Sequence, residues 1–150
     1  MKRFLILVIC VVGAFQIKAQ TKSQQAYSYI RKANKAIEKS IDYTEALINF
    51  NKAIQLFGVI KDKNVASLGA RAYFEIHHKQ PTVKKQISFL EKSTIYSRQY
   101  FLLANNKNTS DYQQNVELYT LSKKTLKKLQ LKLKSWNGKV LKAGGLYYFL

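Results

Sequence analysis

From residue 24 onward the apolar positions recur every three or four residues, the period of an amphipathic helix. Ala26, Ile30, Ala33 and Ile37 predict a helix over 24–39, broken by Ser40-Ile41. Asp42-Tyr43-Thr44-Glu45 reads as a capping box, an acidic N-cap followed three residues later by Glu. The helix it opens, 43–57, carries Ala46, Leu47, Phe50, Ala53, Ile54 and Phe57, and Gly58 is placed to leave it in a left-handed conformation. A third helix is predicted from about Asn64 to His78, and a fourth from Pro81 through Ile87, Leu90 and Tyr96 to about Ala104. After the polar loop 105–109, Ser110-Asp111-Tyr112-Gln113 forms a second capping box. It opens a long fifth helix with one stripe through Tyr112, Asn115, Tyr119, Ser122, Leu126, Leu129 and Leu133. Past Leu129 the alternation of Leu129, Leu131 and Leu133 before Asn137-Gly138 leaves a β-hairpin open as an alternative. The short turns and the uniform helical period predict an all-α fold of antiparallel helix pairs.

The first twenty residues follow another pattern. Met1-Lys2-Arg3 is a cationic head, Phe4 to Phe15 an uncharged apolar run, and Ala19 a small residue placed before a cut, the parts of a secretory signal peptide. A membrane anchor needs about 20 apolar residues, and Gln16 and Lys18 end this run first. The short head and the Lys18-Ala19-Gln20 ending resemble signal peptides of Bacteroidetes-type bacteria. Cys10 lies mid-run after Ile9, the wrong context for a lipoprotein cysteine. The expected division is a signal peptide at 1–19, a helical domain at 20–135 and an irregular tail at 136–150. The expected location is the periplasm or the exterior. Cleavage removes Cys10, the only cysteine, which suits an oxidising compartment.

The segment Asp42-Tyr43-Thr44-Glu45-Ala46-Leu47-Ile48-Asn49-Phe50-Asn51-Lys52-Ala53-Ile54-Gln55-Leu56 resembles the second helix of a tetratricopeptide repeat (TPR). Ala46, Phe50 and Ala53 fall on that family's small, aromatic and small positions. Leu68-Gly69 matches its Leu-Gly pair in a second copy, and Phe89-Leu90-Glu91-Lys92-Ser93 loosely repeats the second helix. Asp111-Tyr112 recurs 69 residues after Asp42-Tyr43, with Asn115, Tyr119 and Ser122 where Ala46, Phe50 and Ala53 stood. The likeness spans about residues 27–122 and departs from the pattern at Ile30, Ala33-Asn34 and Ile37. It implies a short TPR-like solenoid of about three degenerate repeats, each burying its neighbour's face. It also implies a peptide-binding concave surface lined by first helices, including Ser28, Arg31, Lys35 and Lys39 in the first repeat and Ala66, Ala70, Tyr73 and Phe74 in the second. Core packing is the commoner fate of Tyr73 and Phe74. The family's chaperone-binding clamp does not carry over, since Lys35 stands where its Asn would be.

Candidate chemistry is sparse. His77 and His78 are the only histidines, and neighbours on a helix do not converge. No HExxH spacing, nucleophile elbow or phosphate-cradling glycine loop occurs, so the sequence predicts no catalytic residue, metal or cofactor and no enzyme.

Charge is more informative. Lys and Arg number 26 against 8 acidic residues, formally +18. Loss of Lys2, Arg3 and Lys18 with the signal peptide leaves +15. No acidic residue follows Glu117, while Lys123, Lys124, Lys127, Lys128, Lys132, Lys134, Lys139 and Lys142 do. Solvated helices usually mix signs, so this run predicts an anion-binding surface, at Lys123, Lys124, Lys127, Lys128 and Lys132. The sequence therefore points to a secreted, non-catalytic module binding an extended or acidic protein segment. The alternative is a cationic protein that binds anionic lipid or polysaccharide of the envelope through its lysine-rich helix. Export makes nucleic acid a poor candidate partner.

Overall fold

The structure is a computed structural model that describes residues 22–142, with side chains described through Trp136. The expected signal peptide, with Cys10, and the last eight residues of the expected tail lie outside the described residues. Five helices follow in order: α1 (22–40), α2 (Tyr43–Phe57), α3 (Lys63–Ile76), α4 (Val83–Leu103) and α5 (Ser110–Lys142). A 3-10 turn at His77–Lys79 links α3 to α4.

Local chemistry sets the ends. Asp42 caps α2 by accepting the Thr44 and Glu45 amides at 2.9 and 3.0 Å. Its own N–H does not close the expected box, because it donates to the Ala36 carbonyl of α1 at 3.1 Å. That short joint puts Ile41 at φ 52, where a β-branched side chain is strained. Gly58 (φ 68, ψ −56) ends α2 as the centre of a tight γ-turn, with Val59 N–H donating to Phe57 O at 2.8 Å. Two expected starts move. Thr82, one residue after Pro81, caps α4 by accepting the Lys85 amide, and Thr109 caps α5 by accepting the Tyr112 amide. In each case the hydroxyl reaches the amide three residues on, the N-cap geometry.

Neighbouring helices run antiparallel. Tyr27 meets Phe57 and Tyr29 meets Lys52 across α1 and α2. Ser93 meets Ser122 while Tyr100 meets Tyr112 across α4 and α5. The fold is all-α, a short solenoid of stacked helix pairs in two layers. Helices α1, α3 and α5 form one layer, brought together along shared hollows. Helices α2 and α4 form the other, joined where Phe50 meets Tyr96 edge-on at 5.1 Å. Among the described residues there are two complete pairs and the first helix of a third.

Two expectations change here. The likeness of Asn115, Tyr119 and Ser122 to Ala46, Phe50 and Ala53 equates α5 with a second helix, yet α5 packs on α3 and α4 in the layer of first helices. The helix also runs to Lys142, past the expected boundary at 135, and no hairpin forms at 129–142. A strictly helical stripe, with Leu126, Leu129 and Leu133 all half-buried, outweighs the local Leu alternation.

The core forms where α2 crosses α3. Ala46, Phe50 and Ala53 are completely buried, as the repeat register requires. Phe50 lies against Gly69 so closely that a Cβ there would fall 2.8 Å from the ring's Cε2 and nearer still to Cζ. Glycine at 69 is what lets α3 approach α2. Tyr73 continues the aromatic cluster, stacking on Tyr96 at 5.7 Å and donating its hydroxyl to Asn51 Oδ1 at 2.9 Å.

Candidate functional site

The layer of first helices is hollowed along its exposed side. One hollow, about 300 Å³, lies where α1, α3 and the start of α5 meet, with Asn34, Glu38, Asn64 and Asp111 in its wall. A second, about 280 Å³, lies between α3 and α5, with Phe74, Glu75, Glu117 and Leu118 in its wall. Ser67 and Arg71 stand in the wall of both, so the two hollows adjoin along the open side of α3 and are together called the groove. The local reason is the helical period of α3. Val65, Ala66, Leu68, Ala72, Tyr73 and Ile76 are buried, which leaves Asn64, Ser67, Arg71 and Phe74 on the open side.

This shifts the expected second-repeat lining. Ala66, Ala70 and Tyr73 are core residues, Tyr73 being only 3% exposed. Phe74 does border the groove. On α1 the lining residues are Asn34, Ile37 and Glu38. Arg31, Lys35 and Lys39 are exposed on the same helix and outside both hollows, and Ser28 is half-buried.

The charge of the groove opposes that of the chain. Glu38, Glu75, Asp111 and Glu117 account for four of the eight carboxylates in the sequence, and Arg71 is the one cation in the two walls. The Arg71 guanidinium lies 5.6 Å from the centre of the Tyr43 ring. The sequence held a faint trace of this arrangement. Glu38 and Glu75 are 37 residues apart, about one helix pair, and each lies near the end of a first-layer helix.

The five lysines expected to bind an anion stand on the surface of α5. Lys123, Lys124, Lys127, Lys128 and Lys132 are exposed on α5, while the expected stripe from Tyr112 to Leu133 is buried or half-buried. Tyr119 records the positive field. The Arg98 Nε donates to its hydroxyl at 3.2 Å and holds the phenol below its usual pKa, with the charges of Arg98 and Lys123 adding to the effect. Lys123 Nζ lies 5.5 Å from the centre of the same ring.

The sequence matches no family model, and no curated protein or solved structure is significantly similar to it. Among the described residues no three His, Cys, Asp or Glu side chains gather as a metal site would require. No described helix is long and apolar enough to cross a membrane.

Proposed function

We propose that this chain is an exported, non-catalytic interaction module of TPR-like type that holds an extended polypeptide segment along the groove of α1, α3 and α5. One observation carries the reading: two hollows that share Ser67 and Arg71 adjoin along α3 and together touch three helices. A groove that crosses stacked helices suits an extended chain better than a compact small molecule. Its mixed wall of Asn, Ser, carboxylate, Phe and Leu offers backbone hydrogen-bond partners beside apolar contacts. The test is peptide selection from a random library on the purified protein, repeated with Ser67→Trp, which fills the junction. Selected peptides should bind the parent protein and lose at least tenfold on the variant, with the helical circular dichroism of the two proteins equal. Equal binding by both would remove the groove from the function.

The lysine face supports a second activity. Five exposed lysines along one helix favour an anionic partner, an acidic protein or the envelope surface, and each contributes about 1 kcal/mol near an anionic membrane. The acidic partner expected from the sequence belongs to this face, because four carboxylates line the groove. Changing Lys123, Lys124, Lys127 and Lys128 to Glu should abolish co-sedimentation with anionic vesicles at low salt. Undiminished binding would leave the lysines as a solvated surface.

A further inference from the structure

Accepting a polypeptide in the groove leaves open which one. Two independent features of the wall bear on this. The first is the carboxylate set, with its charge reversed against a chain of formal charge +18. Charges further off than about 10 Å are largely screened at 0.1 M salt, so a ligand inside the groove senses the charges of its wall more than lysines beyond that range. A concave wall also concentrates their field.

The second feature is Asn115. It lines the α3–α5 hollow, yet it is only 5% exposed. Its Nδ2 donates to the Asp111 carbonyl at 2.8 Å. Its Oδ1 is buried and has no hydrogen-bond partner among the described residues. An unpartnered buried carbonyl is costly and is relieved by a donor. The wall thus combines four carboxylates with Asn34, Asn64, Ser67 and Gln114, which can donate or accept, and the buried unpaired oxygen of Asn115, and among the described residues Arg71 is its one cation. Phe74, Leu118 and Leu121 lie beside Glu75 and Glu117, placed to cover an aliphatic stem while the carboxylates meet its charged head. Phe74 adds an aromatic face of the kind on which a guanidinium stacks.

From these observations we infer that the groove recognises a basic polypeptide segment, one that seats an arginine or lysine side chain between Glu75 and Glu117 with a donor directed at Asn115 Oδ1. This rests on the groove being the binding site and adds the sign of its partner. The molecule then has two faces of opposite preference, a carboxylate-lined groove for a basic segment and a lysine face for an anionic one.

The experiment uses the full chain and three fluorescein-labelled dodecapeptides on one Gly-Ser-Ala framework, carrying four Arg, four Gln or four Glu. Anisotropy gives the affinity of each for the parent protein, for Ser67→Trp and for the double variant Glu75→Gln, Glu117→Gln. Circular dichroism checks that all three proteins are equally helical. The inference expects the Arg peptide to bind tightest. It also expects the double variant to weaken that peptide roughly five- to tenfold and leave the Gln peptide unchanged, as two lost charge pairs imply. Arg and Gln peptides of equal affinity, or an Arg peptide indifferent to the double variant, would overturn it. If Ser67→Trp still removes the Gln peptide in that case, the groove stands and only its preference for basic segments falls. If Ser67→Trp changes no affinity, both readings fall together.

Discussion

The interface between α2 and α3 and the interface between α4 and α5 pack helices together by different chemistry. In the first, Gly69 gives the room and Phe50 fills it, with Ala46 and Ala53 completely buried on α2. In the second, the small residues are serines. Ser93, Ser97 and Ser122 are completely buried, and Tyr100 is 1% exposed. Ser93 Oγ donates to the Ala70 carbonyl at 2.9 Å and lies 3.0 Å from Ser122 Oγ. Ser97 Oγ and the Tyr100 hydroxyl have no partner among the described residues. A methyl and a hydroxyl occupy nearly the same space, so both interfaces close. Only the second leaves buried polar atoms unpaired, and burying a polar atom unpaired opposes folding. The fold therefore has a stable half around Phe50 and a softer half around the serine seam. The groove spans both, with α3 from the one and α5 from the other.

The comparison breaks most easily at Gly69. Gly69→Ala forces a methyl into the Phe50 ring and should cost about 3 kcal/mol, the upper end for overpacking. Phe50→Leu should restore part of that loss when combined with it, which chemical denaturation of the single and double variants would show. An unchanged midpoint for Gly69→Ala would mean that α2 and α3 are not in close contact.

The serine seam makes the next largest difference. Ser93→Ala removes a paired hydroxyl and should cost about 1 kcal/mol. Ser97→Ala removes an unpaired one and should be neutral or stabilising. The sign of the difference between two Ser→Ala changes one helical turn apart on α4 is the measurement. Equal losses would show that the seam is uniformly paired.

The smallest effect appears at high pH. Burial raises the Tyr96 phenol above its usual 10.0, with the neighbouring Tyr73 adding to it. Burial, and secondarily the charge of Asp111, raises that of Tyr100. A raised acid keeps its proton in the folded state while the unfolded chain ionises. Stability is thus full below pH 10 and falls as pH rises through it. Tyr100→Phe should cost little at pH 7, since its hydroxyl lies beside the Thr109 side chain without a hydrogen bond of normal geometry, and should flatten the alkaline loss. Denaturation at pH 8 and pH 10.5 tests both parts.

What the sequence made legible follows the same division. The helices of the first half were readable because their caps and packing residues are local and single-purpose. Asp42 caps, Gly58 turns, and Ala46 and Ala53 are small at positions where anything larger would clash. The α5 stripe was readable because burial along a helix repeats every turn. The place of α5 in the layers was not. Small residues seven apart mark any helix packed on two sides, so Asn115 and Ser122 could mimic Ala46 and Ala53 from the other layer. The groove was illegible for a different reason. Glu38, Glu75, Asp111 and Glu117 come from three helices, and only folding sets them along one wall. Against so many lysines, their shared sign is lost in any average along the chain.

Everything proposed for this chain turns on whether polypeptide binds along the groove of the first-layer helices. Backbone amide shifts of isotope-labelled protein, recorded as the four-Arg dodecapeptide is added, test it residue by residue. Ser67, Arg71, Phe74, Gln114 and Leu118 should shift progressively while Lys123 to Lys132 stay in place. Shifts confined to the lysine face, or none at saturating peptide, would contradict it.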